Sequence, residues 1–221
     1  MQIVAYKISQ PKQTTFISIV MQQAISHLNA SDAIIAAIIQ RAGPFAMQYR
    51  EPDFSSLARA IVFQQLSGKS ARPIYARLEA ACGGAVTPEA ILKLRAPTLR
   101  KVGLSRQKSS YLRDLARRSM TGEINFAAMH EMSDEEVVVT LTQVKGIGTW
   151  TAHMFLIFAL RRPNVLPTGD YGVRAAIQRA YKKRKLPTPK QVEILARKNN
   201  WHPYCSVAAW YLWRSIDGGG A

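Results

Sequence analysis

The chain has 221 residues, 48% of them hydrophobic, and its 30 Lys and Arg against 14 Asp and Glu give a formal net charge of +16. That length suits one or two compact lobes with a sizeable core, and the charge favours a polyanionic partner over an acidic small molecule. No apolar run approaches the ~20 residues that cross a bilayer, and no basic stretch followed by an apolar core and cleavage site opens the chain, so an intracellular protein with no membrane partner is expected.

Taken in chain order, the first elements are two strand candidates, Gln2 to Ile8 and Thr15 to Val20. Helical spacing takes over at Ala24 to His27 and continues through Ile34-Ile35 and Ile38-Ile39. Further helices are predicted over Phe54 to Leu66, Lys69 to Ala81, Pro88 to Arg95 and Ser105 to Met120. Gly43-Pro44, Gly83-Gly84, Ala96-Pro97, Thr121-Gly122 and Pro187-Thr188-Pro189 punctuate the pattern as helix ends do. Ser133-Asp134-Glu135-Glu136 is a capping-box pattern that opens a helix over Asp134 to Leu141. A second helix begins at Thr149, with Ala152, Phe155, Leu156, Ala159 and Leu160 at helical spacing. Gly218-Gly219-Gly220-Ala221 is expected to fray.

The two cysteines, Cys82 and Cys205, make no disulfide framework and fall short of the four thiolates of an iron–sulfur cluster. His27, His130, His153 and His202 lie far apart and away from the cysteines, so no zinc site is expected. The basic residues cluster. Seven lie between Arg100 and Arg118, and Lys182-Lys183-Arg184-Lys185 form a second group.

The most informative stretch joins a Gly-X-Gly turn to an isolated acid. Gly146-Ile147-Gly148 lies between two helices, and Asp170 is the only acid between Glu136 and Glu193. Such a turn exposes successive N–H groups at the start of the next helix, an arrangement suited to a phosphate; Gly146, Gly148 and Thr149 would form it. Asp170 itself precedes a helix over Tyr171 to Tyr181 and could simply cap it.

Val144-Lys145-Gly146-Ile147-Gly148-Thr149-Trp150-Thr151-Ala152, followed by Leu166-Pro167-Thr168-Gly169-Asp170-Tyr171, resembles the signature of the helix-hairpin-helix DNA glycosylase superfamily, most closely its 3-methyladenine DNA glycosylase II branch. Phe54 to Leu78, Gly103 to Ala116, and Trp201-His202-Pro203-Tyr204 through Trp213-Arg214 resemble its other blocks in the same order. The resemblance covers roughly Ala24 to Arg214, and the extra N-terminal β domain of some relatives has no room.

The resemblance implies an all-α fold of two helical lobes with a cleft between them, preceded by residues 1–23 of uncertain order. The glycosylase domain would span 24–217, with a middle lobe of about 51–160 and a second lobe of 24–50 plus 161–217. It implies a base excision repair enzyme acting on double-stranded DNA with alkylated bases, as a monomer, DNA-associated in the cell.

Asp170 would be catalytic, its charge opposing the oxocarbenium character of the sugar in the transition state. No second carboxylate accompanies it, which suits N3-methyladenine and N7-methylguanine, because these bases already carry the positive charge that makes them good leaving groups. Trp150, Tyr204 and Trp201 are the aromatic candidates for stacking on a cationic base; Trp150 could equally be a packing residue. Bifunctional members place a Schiff-base lysine where Trp150 stands, and Lys145 precedes the hairpin, so the resemblance implies a monofunctional enzyme that leaves an abasic site. Gln65 is the wedge candidate, although Gln64 and Gln65 could instead cap or cross-link helices. The family's hairpin also binds a monovalent cation, Na+ or K+, through backbone carbonyls matching Thr142, Val144 and Ile147, and no cofactor is required. The competing readings are a glycosylase of the same fold for deaminated or mismatched bases, and a non-catalytic helix-hairpin-helix DNA-binding module, which would have no need of Asp170.

Overall fold

The computed structural model describes residues 10–216, and Gln2 to Ile8 and the Gly218 to Ala221 end lie outside them. The described residues form twelve α-helices and one 3-10 turn, and no strand. In chain order the helices are α1 (Gln10–Ser31), α2 (Ala33–Ala42), α3 (Phe54–Phe63), α4 (Gly68–Ala81), α5 (Pro88–Lys93) and α6 (Ala96–Lys101). They continue with α7 (Arg106–Met120), α8 (Asp134–Thr142), α9 (Thr149–Phe158), α10 (Tyr171–Ala180), α11 (Pro189–Lys198) and α12 (Cys205–Ile216). The all-α reading holds. Thr15 to Val20 is not a strand, however; its β-branched residues lie inside α1, which also runs through the boundary drawn at residue 23.

The chain divides into two compact units, one of residues 48–162 and one made of those up to Met47 together with those from Pro163 on. In the discontinuous unit α12 is the central element, packed against α10, α2 and α1. Its residues from Cys205 to Leu212 are all buried, with Ala208 and Ala209 permitting close helix approach. Sequence periodicity ran α1 and α2 together; Asp32 divides them. Its Oδ1 accepts from the Ile34 and Ile35 amides at 2.9 and 3.2 Å, capping α2. Its Oδ2 accepts from Trp201 Nε1 at 2.8 Å and from the Tyr181 hydroxyl. A buried carboxylate costs several kcal/mol unless its lone pairs are taken up, and these four donors fill it. Burial, together with the adjacent Asp32 charge, holds the Tyr181 phenol protonated by raising its pKa.

In the continuous unit α7 packs on α5, α3 and α6, α8 pairs with α9, and α3 touches α4 and α9. Helix starts here are set by side-chain caps: Asp53 for α3, Ser105 for α7, and Ser133 with Glu136 in a reciprocal box for α8. α6 and α11 escaped prediction because Pro97 and Pro189 read as breaks. Proline near a helix start costs nothing, since the amide it lacks has no helical partner there, and Thr188 with Gln191 completes a capping box on α11.

Candidate active site

The hairpin lies between α8 and α9. Val144 and Ile147 are buried and anchor it, and the Ile147 amide donates to Val144 O at 3.0 Å. Gly146 has φ +77°, and a Cβ there would lie 2.1 Å from two carbons of the Tyr111 ring, so this position requires glycine on both counts. Two polar contacts fix the turn from outside. The Lys145 amide donates to Asp114 Oδ2 at 2.9 Å, and Gln64 Nε2 donates to Gly146 O at 2.8 Å. Burial works to raise the Asp114 pKa, but the Lys145 amide and Arg118 prevail and hold the carboxyl below its ordinary range.

Gly148 is the N-cap of α9, and no side chain caps that helix. Gly148, Thr149 and Trp150 are exposed, and nothing lies within 4 Å of a Cβ built on Gly148. The first amides of α9 and the positive end of its dipole thus lie at an exposed, uncapped helix start, as an anion site requires.

Gln64 is engaged with the hairpin; the adjoining turn carries Gln65 and Leu66, both exposed. Gln65 has φ +57°, a left-handed conformation. Lys108 Nζ supports it by donating to Val62 O and Gln64 O, each at 2.7 Å, which caps the end of α3. Leu66 was not singled out from the sequence, and it is the apolar member of the pair at the turn.

Asp170 is buried, 8% exposed, at the N-terminus of α10. Its Oδ1 accepts the Val173 amide at 2.8 Å, the cap that the sequence suggested, and also Trp213 Nε1 at 2.8 Å. Trp213 was not recognised as a site residue because the contact spans 43 positions. Gly172 permits it: a Cβ there would lie 2.9 Å from Trp213 Cδ1 and 3.1 Å from Asp170 Oδ1. Ser206, one heptad earlier on α12 and so on the same face, is buried and binds the preceding loop. Its Oγ accepts the Val165 amide at 2.9 Å, and its own amide donates to Pro163 O. One face of α12 therefore holds both the loop that delivers Asp170 and the carboxylate itself.

The aromatic candidates separate. Trp150 is 48% exposed near the start of α9. Tyr204 is half-buried, its ring edge-on to His27 at 5.2 Å. Trp201 is fully buried with its Nε1 on Asp32, so it is a core residue and cannot stack on a base; its place in the motif misled the sequence reading. Cys205 is buried, and burial pushes its thiol up to about 12, which removes it from thiolate chemistry. Among the described residues no three His, Cys, Asp or Glu side chains are grouped to hold a metal. The proposed carbonyl ligands are of a suitable kind: Thr142 is the last residue of α8, at its negative end, and Val144 O has one amide donor, from Ile147.

Comparison with known proteins bears on the family and the fold. Residues 58–200 match the family described as HhH-GPD superfamily base excision DNA repair protein. The chain is 32% identical over 202 residues to DNA-3-methyladenine glycosylase 1 of Schizosaccharomyces pombe, covering 88% of this chain and 87% of that one. The structure of the S. pombe 3-methyladenine DNA glycosylase in complex with abasic DNA superposes with a TM-score of 0.80 at 31% identity, covering 90% of this chain and 99% of that one. The DNA-3-methyladenine glycosidase of Bacillus halodurans gives 0.77 at 34% identity, covering 87% and 88%. The chain belongs to the HhH-GPD superfamily of base excision DNA repair proteins, and it is a DNA glycosylase of that fold.

Proposed function

We propose that the chain is a monofunctional DNA-3-methyladenine glycosylase, acting as a monomer on double-stranded DNA to release N3-methyladenine and N7-methylguanine. The observation that carries this reading is the buried Asp170 carboxylate, fixed by an amide and an indole N–H at the start of α10. The bond broken joins the sugar C1′ to a ring nitrogen of the purine. An alkylated purine takes the bonding electrons and leaves as a neutral base, water adds to C1′, and its surplus proton passes to solvent or to the carboxylate. The sugar is positive in between, and a fixed anion stabilises that state.

The exposed amides of α9 hold a backbone phosphate, and Gln65 and Leu66 face the gap left when the nucleotide turns out of the stack. Leu66 suits the wedge better than Gln65, since an apolar side chain forfeits no hydrogen bonds between bases. Trp150 and Tyr204 offer aromatic faces to a cationic base. The carbonyls of Thr142, Val144 and Ile147 would hold Na+ or K+, which would add fixed positive charge to the hairpin. Trp150, where bifunctional enzymes carry a lysine, supports hydrolysis without strand cleavage.

The test is single-turnover base release from duplexes each carrying one defined lesion, with borohydride present in a parallel set. Release of N3-methyladenine far above undamaged purine, with no trapped protein–DNA adduct and strand breaks only after alkali, is expected. Excision of 8-oxoguanine or deaminated bases but not alkylated ones overturns the substrate assignment, and a trapped adduct overturns the monofunctional one.

A further inference from the structure

At the ends of α2, α10 and α12 lies a pocket of about 460 Å³, lined among the described residues by Arg41, Arg179 and Arg214 and by no acid. Each arginine is in the last turn of its helix. Helix C-termini carry about half a negative charge each, so three ends offset only about half of three guanidinium charges. Among the described residues no other group supplies the remainder. Among the described residues of this unit the acids are Asp32, Asp170 and Glu193, and each is engaged elsewhere, on Tyr181 and Trp201, on Trp213, and on Arg197. None of the three arginines forms an ion pair among the described residues, and Arg214 is steadied by the Trp210 ring, 5.9 Å from its centroid.

Past the end of α10 the exposed run Lys182 to Lys185 prolongs the positive strip beyond the pocket. An extended strip fits a polyanion better than a compact one. Arg179 and Asp170 stand at opposite ends of α10, about 13 Å apart at 1.5 Å per residue, roughly four base-pair rises along a duplex.

We propose that the Arg41–Arg179–Arg214 pocket is a second phosphodiester-binding site for DNA, engaging the backbone away from the nucleotide being processed. The proposal rests on the DNA-processing reading above. Spacing three guanidiniums around one opening gives bidentate donors for phosphate oxygens and adds affinity without base preference.

The experiment is anisotropy binding of an undamaged duplex over a range of salt, for the wild type, R41Q/R179Q/R214Q, R41K/R179K/R214K and the single variant R179Q. The slope of log affinity against log salt should flatten by about two to three in the triple glutamine variant and by about one in R179Q, because each lost contact removes about 0.9. The lysine variant should keep most of the slope, which a merely structural loss would not allow. R179Q decides the matter if the triple variant does not fold. Unchanged slopes, with the wild type binding normally, overturn the pocket and leave the enzymatic reading intact; a wild type that binds no duplex overturns both. In a thermal-shift arm, stabilisation of the wild type but not R179Q by millimolar inorganic phosphate, with unaltered duplex slopes, would mark a free-phosphate site and likewise overturn the proposal.

Discussion

Trp213 Nε1 and the Val173 amide converge on the same oxygen of Asp170, each at 2.8 Å, so one carboxylate oxygen is fixed by α12 and by α10. An N-cap alone would need only the amide. The indole adds a hydrogen bond to a buried charged group, of the kind that contributes about 1.5–3 kcal/mol. Trp213→Phe keeps an aromatic ring at this position of α12, smaller than the indole, and removes that bond. Base release at saturating enzyme should fall about tenfold or more, while binding of lesion DNA changes little. A rate equal to the wild type would show that the indole only fills space.

Gly146 is held in a left-handed conformation with the Tyr111 ring where a Cβ would stand. Gly146→Ala should therefore destabilise the protein by more than the ~1–2 kcal/mol of the backbone strain alone. Repeating the substitution in a Tyr111→Ala background separates the two contributions, because only the steric one disappears. Equal losses in both backgrounds by urea denaturation would show that the ring is not the obstacle.

Asp114 supplies a pH dependence. Its folded-state pKa lies below the usual value because the Lys145 amide and Arg118 favour the charged form more than burial opposes it. A group of this sort stabilises the fold above its unfolded pKa, about 3.9, and that stabilisation is lost as pH falls toward the folded value. Wild type should exceed Asp114→Asn in urea midpoint at pH 6, and the gap should close on acidification below pH ~4. A gap that stays constant across that window would mean that the Asp114 charge does not hold the hairpin.

The turn after α3 offers a further comparison. If an apolar side chain fills the space of the extruded nucleotide, Leu66→Ala should slow base release more than Gln65→Ala. Lys108→Met, which removes the donors to Val62 O and Gln64 O, should resemble the more damaging of the two. A larger effect from Gln65→Ala would return the wedge to that residue.

What the sequence carried and what it hid divide along physical lines. Helices with both a periodic apolar face and a local cap, such as α7 and α8, were legible almost to the residue. Local signals misled where one residue type serves two purposes: Pro97 and Pro189 open helices rather than ending them, and the β-branched run Thr15 to Val20 lies in α1. Asp170 as a cap and the Gly146 turn were visible in one short string. Trp213 and the three-helix arginine pocket were not, because each depends on side chains brought together from distant positions. Trp201 shows the converse, since its place in a motif suggested a role that its complete burial on Asp32 excludes.

The central prediction concerns the Asp170 charge. Asp170→Asn keeps the size of the side chain and an oxygen able to accept the Val173 amide, so α10 should remain capped and the fold intact. What it removes is the negative charge opposite the sugar. Loss of one preorganised electrostatic group costs about a hundredfold or more in rate, and single-turnover release of N3-methyladenine should fall by at least that. Affinity for the same duplex should persist or rise, because an anion near DNA phosphates has gone. The opposite pattern, normal release from a variant that binds normally, would reduce Asp170 to a helix cap and leave the chain a DNA-binding module in need of another catalytic group.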